Sequence, residues 1–538
     1  MLKKLLVILV LVAGAAIFVG AISDRAGGPG GTELRIVSGS ENRALEPVVM
    51  EWAQANRVNV DMSYLGSVDI ARALADGTAS PYDAVWPANS LWIELGDVSK
   101  VVKHRESVLR SPVVLGLKRS IAEDLGWIGR NDITIQMIQD AARDNAFRLA
   151  MTSATQSNSG ASAYFGFLYA QADDPDLLTM AHLQDPEVLD GVQDLLAQMD
   201  RSSGSSGWLK DSFVENPQAY DAMFNYEALM IEANQALLDA GQEPLYVIYP
   251  ANGLSVADSP LGYVDKGDAA KEESFLALQA HLATPDVQKA LSDLGRRAGL
   301  IGLMSDQADP RVWNRDWGID LDRQIAPVPT PAPEVIAEAL RLYQTELRKP
   351  SMTIWVLDTS GSMEGQPLAD LKSAMRLLLD PEAAAVNLLQ PSGRDVTVIL
   401  PFNHETGAPT LVEGSTPEDL AAALDRVERL QADGGTDLYR ALWTAFELLR
   451  PYHEDRTLYD YLPAVVAMTD GASDTINREA FLGYANRSGF ASDVPIHSIA
   501  FGNADEDQLK ELSDVTIGRM FTAGNDLSKA LRSAKGYN

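Results

Sequence analysis

The chain has 538 residues, too many for one hydrophobic core, so two to four domains are expected. Its composition, 46% apolar and 22% charged, supports packed cores, while a formal net charge of −31 argues against a nucleic-acid partner, which needs clustered Lys and Arg. Cys is absent, which removes disulfides, thiolate metal sites, Cys nucleophiles and a lipid-modified N-terminal Cys.

Residues 1–4 include Lys3 and Lys4 and precede an uncharged apolar run over 5–22; a Gly-rich stretch over 23–32 follows. As a helix the run rises about 27 Å, close to a bilayer's hydrocarbon thickness. Positive charge ahead of it predicts a cytoplasmic stub, a single-pass transmembrane anchor in the cell membrane and the bulk of the chain on the extracytoplasmic side. A signal cut near Ala21-Ile22-Ser23 is the competing reading, and it leaves a secreted or periplasmic protein. Export follows either way.

Residues 33–320 read as α/β. A short strand carries Leu34, Ile36 and Val37, and Ser38 stands three residues before Glu41, a capping-box spacing. Leu45, Val48, Val49, Trp52 and Ala53 follow at helical spacing, with Pro47 suited to a first turn, so the regular helix starts as late as Leu45. Further strands are expected at 58–64, 84–86, 113–117, 148–151 and 245–249. Polar clusters sit at their ends: Ser38-Gly39-Ser40-Glu41-Asn42, Gly66-Ser67, Asn89-Ser90, Ser157-Asn158-Ser159-Gly160 and Tyr226-Glu227. With Tyr249-Pro250-Ala251-Asn252-Gly253 and a helix over 282–297, these segments resemble the periplasmic solute-binding proteins of transporters, especially those that take oxyanions or metal ions. The resemblance implies a bilobal fold with lobes over 33–112 plus 253–320 and over 113–252, hinged near Pro112 and Pro250. It implies a small anionic or metal-containing solute in the cleft, with Ser38, Ser40, Ser67, Asn89, Ser159, Tyr226 and Glu227 as contacts. Helix N-termini with Ser side chains can hold an anion by backbone dipoles alone. The plainer alternative is that each Ser only caps a helix and the fold serves as a spacer or protein-binding surface.

Alternating prolines at Pro327, Pro329, Pro331 and Pro333 make a stiff extended segment, so 321–350 is expected as a linker and helix before a second region over 351–538. Strands are expected at 353–357, 396–400, 464–468 and 496–501, separated by helices with the stripes Leu368, Leu371, Met375, Leu378 and Leu420, Leu424, Val427. That alternation implies a parallel sheet covered on both faces, with ligands at the C-terminal strand ends. Asp358-Thr359-Ser360-Gly361-Ser362 follows the first of these strands, Gly434-Gly435-Thr436-Asp437 precedes a helix, and Met468-Thr469-Asp470-Gly471 ends another strand. A carboxylate and hydroxyls on alternate loop residues are hard ligands, suited to Mg²⁺, Mn²⁺ or Ca²⁺ and poor for Zn²⁺.

These motifs resemble the metal-ion-dependent adhesion site of von Willebrand factor A domains, whose fold is Rossmann-like and doubly wound. The resemblance implies that Asp358, Ser360, Ser362, Thr436 and Asp470 hold Mg²⁺, or Mn²⁺ or Ca²⁺. It also implies that a vacant position accepts an Asp or Glu carboxylate from a protein partner. Asp437 reads instead as a helix-start residue and Asp474 as a solvated loop acid. No catalytic residue is expected: the six His (His104, His182, His281, His404, His453 and His497) lack metal-ligand spacing, and no Gly-x-Ser-x-Gly or phosphate-binding loop occurs. Two functions remain. One is an adhesion or assembly protein coupled to a solute-binding-like domain; the other is a transporter-associated receptor that delivers its solute to a permease.

Overall fold

A computed structural model of the chain describes residues 32–298, 308–321, 323, 325, 327–488, 491, 493–524 and 526–537. The apolar run over 5–22 lies outside them. Among the described residues no helix is long and apolar enough to cross a membrane.

The first lobe is built on a five-stranded sheet in the spatial order Asn59–Tyr64, Glu33–Ser38, Ala84–Trp86, Pro260–Val264 and Val102–Ser107. Leu34 and Ile36 point to one face and meet Val49, Trp52 and Ala53 of the helix Glu46–Asn56. That helix has Pro47 in its first turn and is preceded by a tighter turn, Ser40–Leu45. The expected capping box does not form. Gly39 takes the cap position without a side-chain bond, and the Ser38 hydroxyl donates instead to the Trp86 carbonyl at 3.0 Å.

The strand Leu109–Lys118 carries the chain from the first lobe to the second. Its early residues pair with Val256–Ala257 and Arg297–Ala298, its later ones with Ala222–Tyr226 and Leu245–Ile248. Three places differ from expectation. The helix expected over 282–297 is broken: Ala269–Leu282 ends, Pro285–Asp293 follows, and Gly295, at φ +78°, turns the chain into a strand. The segment 308–321 belongs to the second lobe rather than the first, because Trp313, Trp317 and Ile319 pack with Val114, Met223 and Met230 there. The proline-rich stretch, expected as a stiff linker, is docked on the second lobe. Val328 donates its N–H to the Leu254 carbonyl at 2.9 Å, Tyr169 donates its hydroxyl to the Pro329 carbonyl at 2.9 Å, and the helix Pro333–Leu342 buries Val335, Ile336, Ala339 and Leu340 in the second lobe's core.

The C-terminal domain is a six-stranded sheet in the order Thr410–Glu413, Val396–Phe402, Ser351–Asp358, Leu462–Thr469, Ile496–Ala500 and Met520–Thr522, parallel except for the first. Along the central strand, alternate side chains feed two cores. Met352, Ile354 and Val356 meet the helix Leu438–Glu454, whereas Trp355 and Leu357 meet the helices Gln366–Leu379 and Leu527–Ala534. Burial on both faces explains why these strands are nearly all apolar.

The two domains meet at the N-terminal strand ends of this sheet. Lys349 donates to the Met199 carbonyl at 3.0 Å, Arg201 to the Ile517 carbonyl at 3.3 Å, and Ser202 to the Gly536 carbonyl at 3.4 Å. Tyr537, 2% exposed, stands edge-on to Trp208 with ring centroids 5.0 Å apart. A Cβ at Gly204 would lie 2.6 Å from the Tyr537 ring, so glycine is what lets the domains close here.

Candidate functional site

Asp358 is the last residue of the strand Ser351–Asp358, and Asp470 follows the adjacent strand Leu462–Thr469. Between those two strands the sheet order changes direction, and a crevice opens there at the C-terminal ends. Register sets the contact: Leu357 lies opposite Met468, which brings Thr469 beside Asp358.

Hydrogen bonds join the loops that carry the expected metal residues. Asp358 Oδ1 accepts from the Ser360 N–H at 2.7 Å, and Asp358 Oδ2 accepts from Thr469 Oγ1 at 2.5 Å. The Ser360 and Ser362 hydroxyls are 3.1 Å apart, and Ser362 Oγ donates to Asp470 Oδ1 at 2.7 Å. The loop with Thr436 is tied in by its backbone: Gly361 N–H donates to the Gly434 carbonyl and Asp433 N–H to the Thr359 carbonyl, both at 2.9 Å. Asp474 N–H donates to the Thr436 carbonyl at 2.7 Å, while the Thr436 hydroxyl has no partner among the described residues. Met363, fully buried, anchors the first loop from below. Gly434 has φ +79°, and a Cβ there would meet the His404 ring at 2.3 Å.

The site grades from buried to open. Asp358 and Ser360 are 0% and 1% exposed, Asp470 is 6% exposed, and Ser362 faces solvent. Burial holds the Asp358 carboxyl above its ordinary value, and the neighbouring Asp470 charge adds to the rise. A cation here would relieve both costs. The donors are oxygens only, two acids and three hydroxyls, which suits a hard divalent ion. Among the described residues no group of three or more His, Cys, Asp or Glu is gathered for a metal. Asp437 caps the helix Leu438–Glu454, accepting from the Arg440 N–H at 3.0 Å, and Asp474 is exposed.

The expected solute contacts scatter. Ser40 and Ser67 line one cavity of about 190 Å³ where both lobes meet the C-terminal domain. The others are engaged in internal bonds. Ser38 is held by Trp86 and Asn42, and Ser159 by Thr152 and Ser206. Tyr226 accepts from Asn158 at 2.9 Å, and Glu227 is clamped by Arg297 and by the Tyr249 hydroxyl. Asn89 lies apart, beside 327–331. The cavity's cationic lining, Arg43, Arg519 and Lys529, carries no motif; those residues come from opposite ends of the chain.

Comparison with known proteins agrees with this architecture. Residues 34–297 match the family described as bacterial extracellular solute-binding protein, and residues 354–533 match the von Willebrand factor type A domain. Among curated proteins, the uncharacterized protein sll0103 of Synechocystis sp. is 29% identical over 170 residues, 31% of this chain and 36% of that protein. The inter-alpha-trypsin inhibitor heavy chain H4 of Bos taurus is 30% identical over 125 residues, 23% of this chain and 13% of its own. The chain therefore spans little more than a third, or less, of the curated relatives it matches. Among solved structures, an ABC transporter solute-binding protein of Thermotoga lettingae bound with α-D-tagatose is 15% identical, covering 58% of this chain and 94% of that one, with a TM-score of 0.44. Iron-bound HitA of Pseudomonas aeruginosa is also 15% identical, covering 58% and 98%, with a TM-score of 0.41. The chain thus joins a bacterial extracellular solute-binding domain, residues 34–297, to a C-terminal von Willebrand factor type A domain, residues 354–533.

Proposed function

We propose that this is an exported, membrane-anchored binding protein whose C-terminal domain grips an acidic group on a partner protein through a divalent metal, Mg²⁺ first. The observation that carries this reading is the convergence of Asp358, Ser360, Ser362 and Asp470 through hydrogen bonds of 2.7 to 3.1 Å at an open rim of the sheet. Ser360 and Ser362 would offer their hydroxyls directly. Thr436, whose hydroxyl is unengaged among the described residues, would offer a third. Asp358 has both oxygens bonded within the protein, so it orients the first loop and adds charge from beneath. A bound divalent ion would supply an electrophilic position that a partner's carboxylate can complete.

The rim lies at the opposite end of the strands from the solute-binding domain, about 23 Å away along the central strand, so that domain leaves it open to a partner. Both component folds are binding folds. The apolar run over 5–22 supports anchoring, and sequencing the mature N-terminus of membrane-fractionated protein tests it; a soluble product starting near Ser23 would remove the anchor. The metal reading is tested by calorimetry of the purified chain with Mg²⁺, Mn²⁺ and Ca²⁺, and it fails if folded protein binds none of them. The solute-binding family match over 34–297 favours a second reading, a receptor that delivers a solute to a permease. A permease and ATPase pair encoded alongside the gene would support that one.

A further inference from the structure

The cavity of about 190 Å³ has walls from three places: the first lobe, the second lobe and the C-terminal domain. Arg43 comes from the first lobe, while Arg519 and Lys529 come from the C-terminal domain. None of these cations forms an ion pair among the described residues. Arg43 lies over the Tyr64 ring at 4.3 Å, and Arg519 lies over the rings of Phe521 and Tyr537 at 5.0 and 4.9 Å, donating one guanidinium N–H to the Tyr537 hydroxyl. Unpaired cations gathered in one recess are conspicuous in a chain with 75 acidic and 44 basic residues. Burial and the charge of Arg43 push Arg519 down to about 10, against a smaller opposing pull from the Asp211 charge.

Helix starts add to this. Gly66, Ser157 and Ser205, the residues that cap the helices Ser67–Ala75, Asn158–Gln171 and Ser206–Glu215, all line the same cavity. First-turn N–H groups have no partner within their own helix, and three dipoles point their positive ends at one volume. Two acids also reach the wall. Asp69 is paired with Arg72 at 3.1 Å and lies 3.9 Å from Arg532. Glu41 has a buried carboxyl oxygen with no hydrogen-bond partner. Desolvation raises its carboxyl to about 7, against the charges of Arg296 and its own backbone bond, so at and below neutral pH it offers a proton rather than a repelling charge. Arg43, Tyr64 and Tyr226 are the other ionisable groups that face it, and Arg296 is shared with Glu232.

We propose that this recess is a composite anion site, in which Arg519 and Lys529 of the von Willebrand factor A domain complete a pocket opened by Arg43 and the helix N-termini of the solute-binding domain. Its ligand is a small solute bearing a phosphate, sulfate or carboxylate group. The C-terminal domain is then the lid of the cleft as well as the carrier of the adhesion site. This rests on residues 34–297 acting as a solute receptor, and the test separates the two claims.

Inorganic phosphate, sulfate and acetate are titrated calorimetrically into the full chain in EDTA at constant ionic strength, which keeps the metal rim out of play. Phosphate is expected to bind, with affinity reduced at least tenfold in Arg519→Gln, about threefold in the exposed Lys529→Gln, and not at all in Lys510→Gln, whose exposed ammonium pairs with Asp514 and does not line the cavity. Binding in the wild type should weaken above pH 7 as Glu41 loses its proton. If Arg43→Gln weakens phosphate but Arg519→Gln and Lys529→Gln do not, the cleft is a receptor and the composite site is wrong. If none of the anions binds the folded wild type, the anion assignment is wrong. Arg519→Lys, which keeps the charge, serves if Arg519→Gln does not fold; retained binding there with loss in Lys529→Gln supports the proposal.

Discussion

The two ends of the C-terminal sheet differ in chemistry and in exposure. At the C-terminal strand ends, Asp358 and Asp470 stand close enough for one charge to raise the other's carboxyl, and hydroxyls fill the space between them. At the N-terminal strand ends, Arg519 and Lys349 meet the solute-binding domain, whose Arg201 donates to the Ile517 carbonyl, and Arg519 forms no ion pair among the described residues. Parallel strands place all their C-termini on one rim and all their N-termini on the other, so one sheet can present a cation-seeking face and an anion-seeking face with a dry core between. The rim with Asp358 and Asp470 is open; the rim with Arg519 is covered by the other domain. On the proposed reading, the first meets a partner and the second responds to what the chain itself holds.

Asp358→Ala is expected to produce the largest change. Metal affinity should fall ~100-fold or vanish, because that carboxylate fixes the first loop through the Ser360 N–H. Wild type at 100 times its dissociation constant should gain ~2.7 kcal/mol of stability from metal, and the variant should gain nothing. A melting curve with and without Mg²⁺ reads both, and an unchanged Mg²⁺ shift in the variant would break the comparison at its open end.

The covered end should be acid-sensitive. His497 is buried beside Tyr537 and Phe521, and burial, with Arg201 and Arg519 near, holds it down to about 3 against an ordinary 6.5. A His depressed in the fold stays neutral there while the unfolded chain takes up a proton. Its stability contribution is complete above pH 6.5 and is lost as pH falls toward 3, by roughly 3 kcal/mol at pH 4. Urea unfolding at pH 7 and pH 4 measures this, and His497→Gln should flatten the difference. An identical acid loss in the variant would mean that other groups govern it.

Glu41 has the opposite sign. Its carboxyl is raised in the fold from 4.5 to about 7, so folding stability falls as pH rises between those values. Glu41→Gln should therefore be more stable than wild type by roughly 3 kcal/mol at pH 8 and close to it near pH 4.5. Equal stabilities at pH 8 would show that something in the recess already compensates the charge.

Asp437→Ala should give the smallest effect. Its side chain caps the helix Leu438–Glu454 and accepts from Asn477 at 2.6 Å, so about 1 kcal/mol of stability should go while Mg²⁺ affinity stays within a fewfold. A loss of metal binding comparable to Asp358→Ala would move Asp437 into the donor set.

How much of this could be read in advance follows from the distance over which each feature is encoded. Strands such as Ala84–Trp86 and the stripe Leu368, Leu371, Met375 and Leu378 are local patterns, and they fold where the pattern puts them. The convergence of Asp358, Ser360 and Ser362 was legible because groups on alternate residues of one short loop are bound by chain geometry to lie near the strand end that precedes them. Solute contacts were legible only as polar residues at helix starts. Ser159, Tyr226 and Glu227 occupy such places, yet they are spent on Thr152, Asn158 and Arg297, and nothing in the linear pattern distinguishes a spent hydroxyl from a free one. The proline-rich segment was legible as a stiff linker, a property of proline's φ, but its docking depends on the core of the second lobe.

By itself the sequence determined two α/β regions, the division near the prolines, and the residues expected to meet a metal, because helix and strand periods and loop reach act over a few residues. Only the tertiary structure decided which lobe owns residues 308–321 and which rim of the sheet faces the other domain. It also decided that Arg43 and Arg519 share one cavity. Those outcomes depend on the packing of surfaces far apart in the chain, whose contact energies no local pattern records.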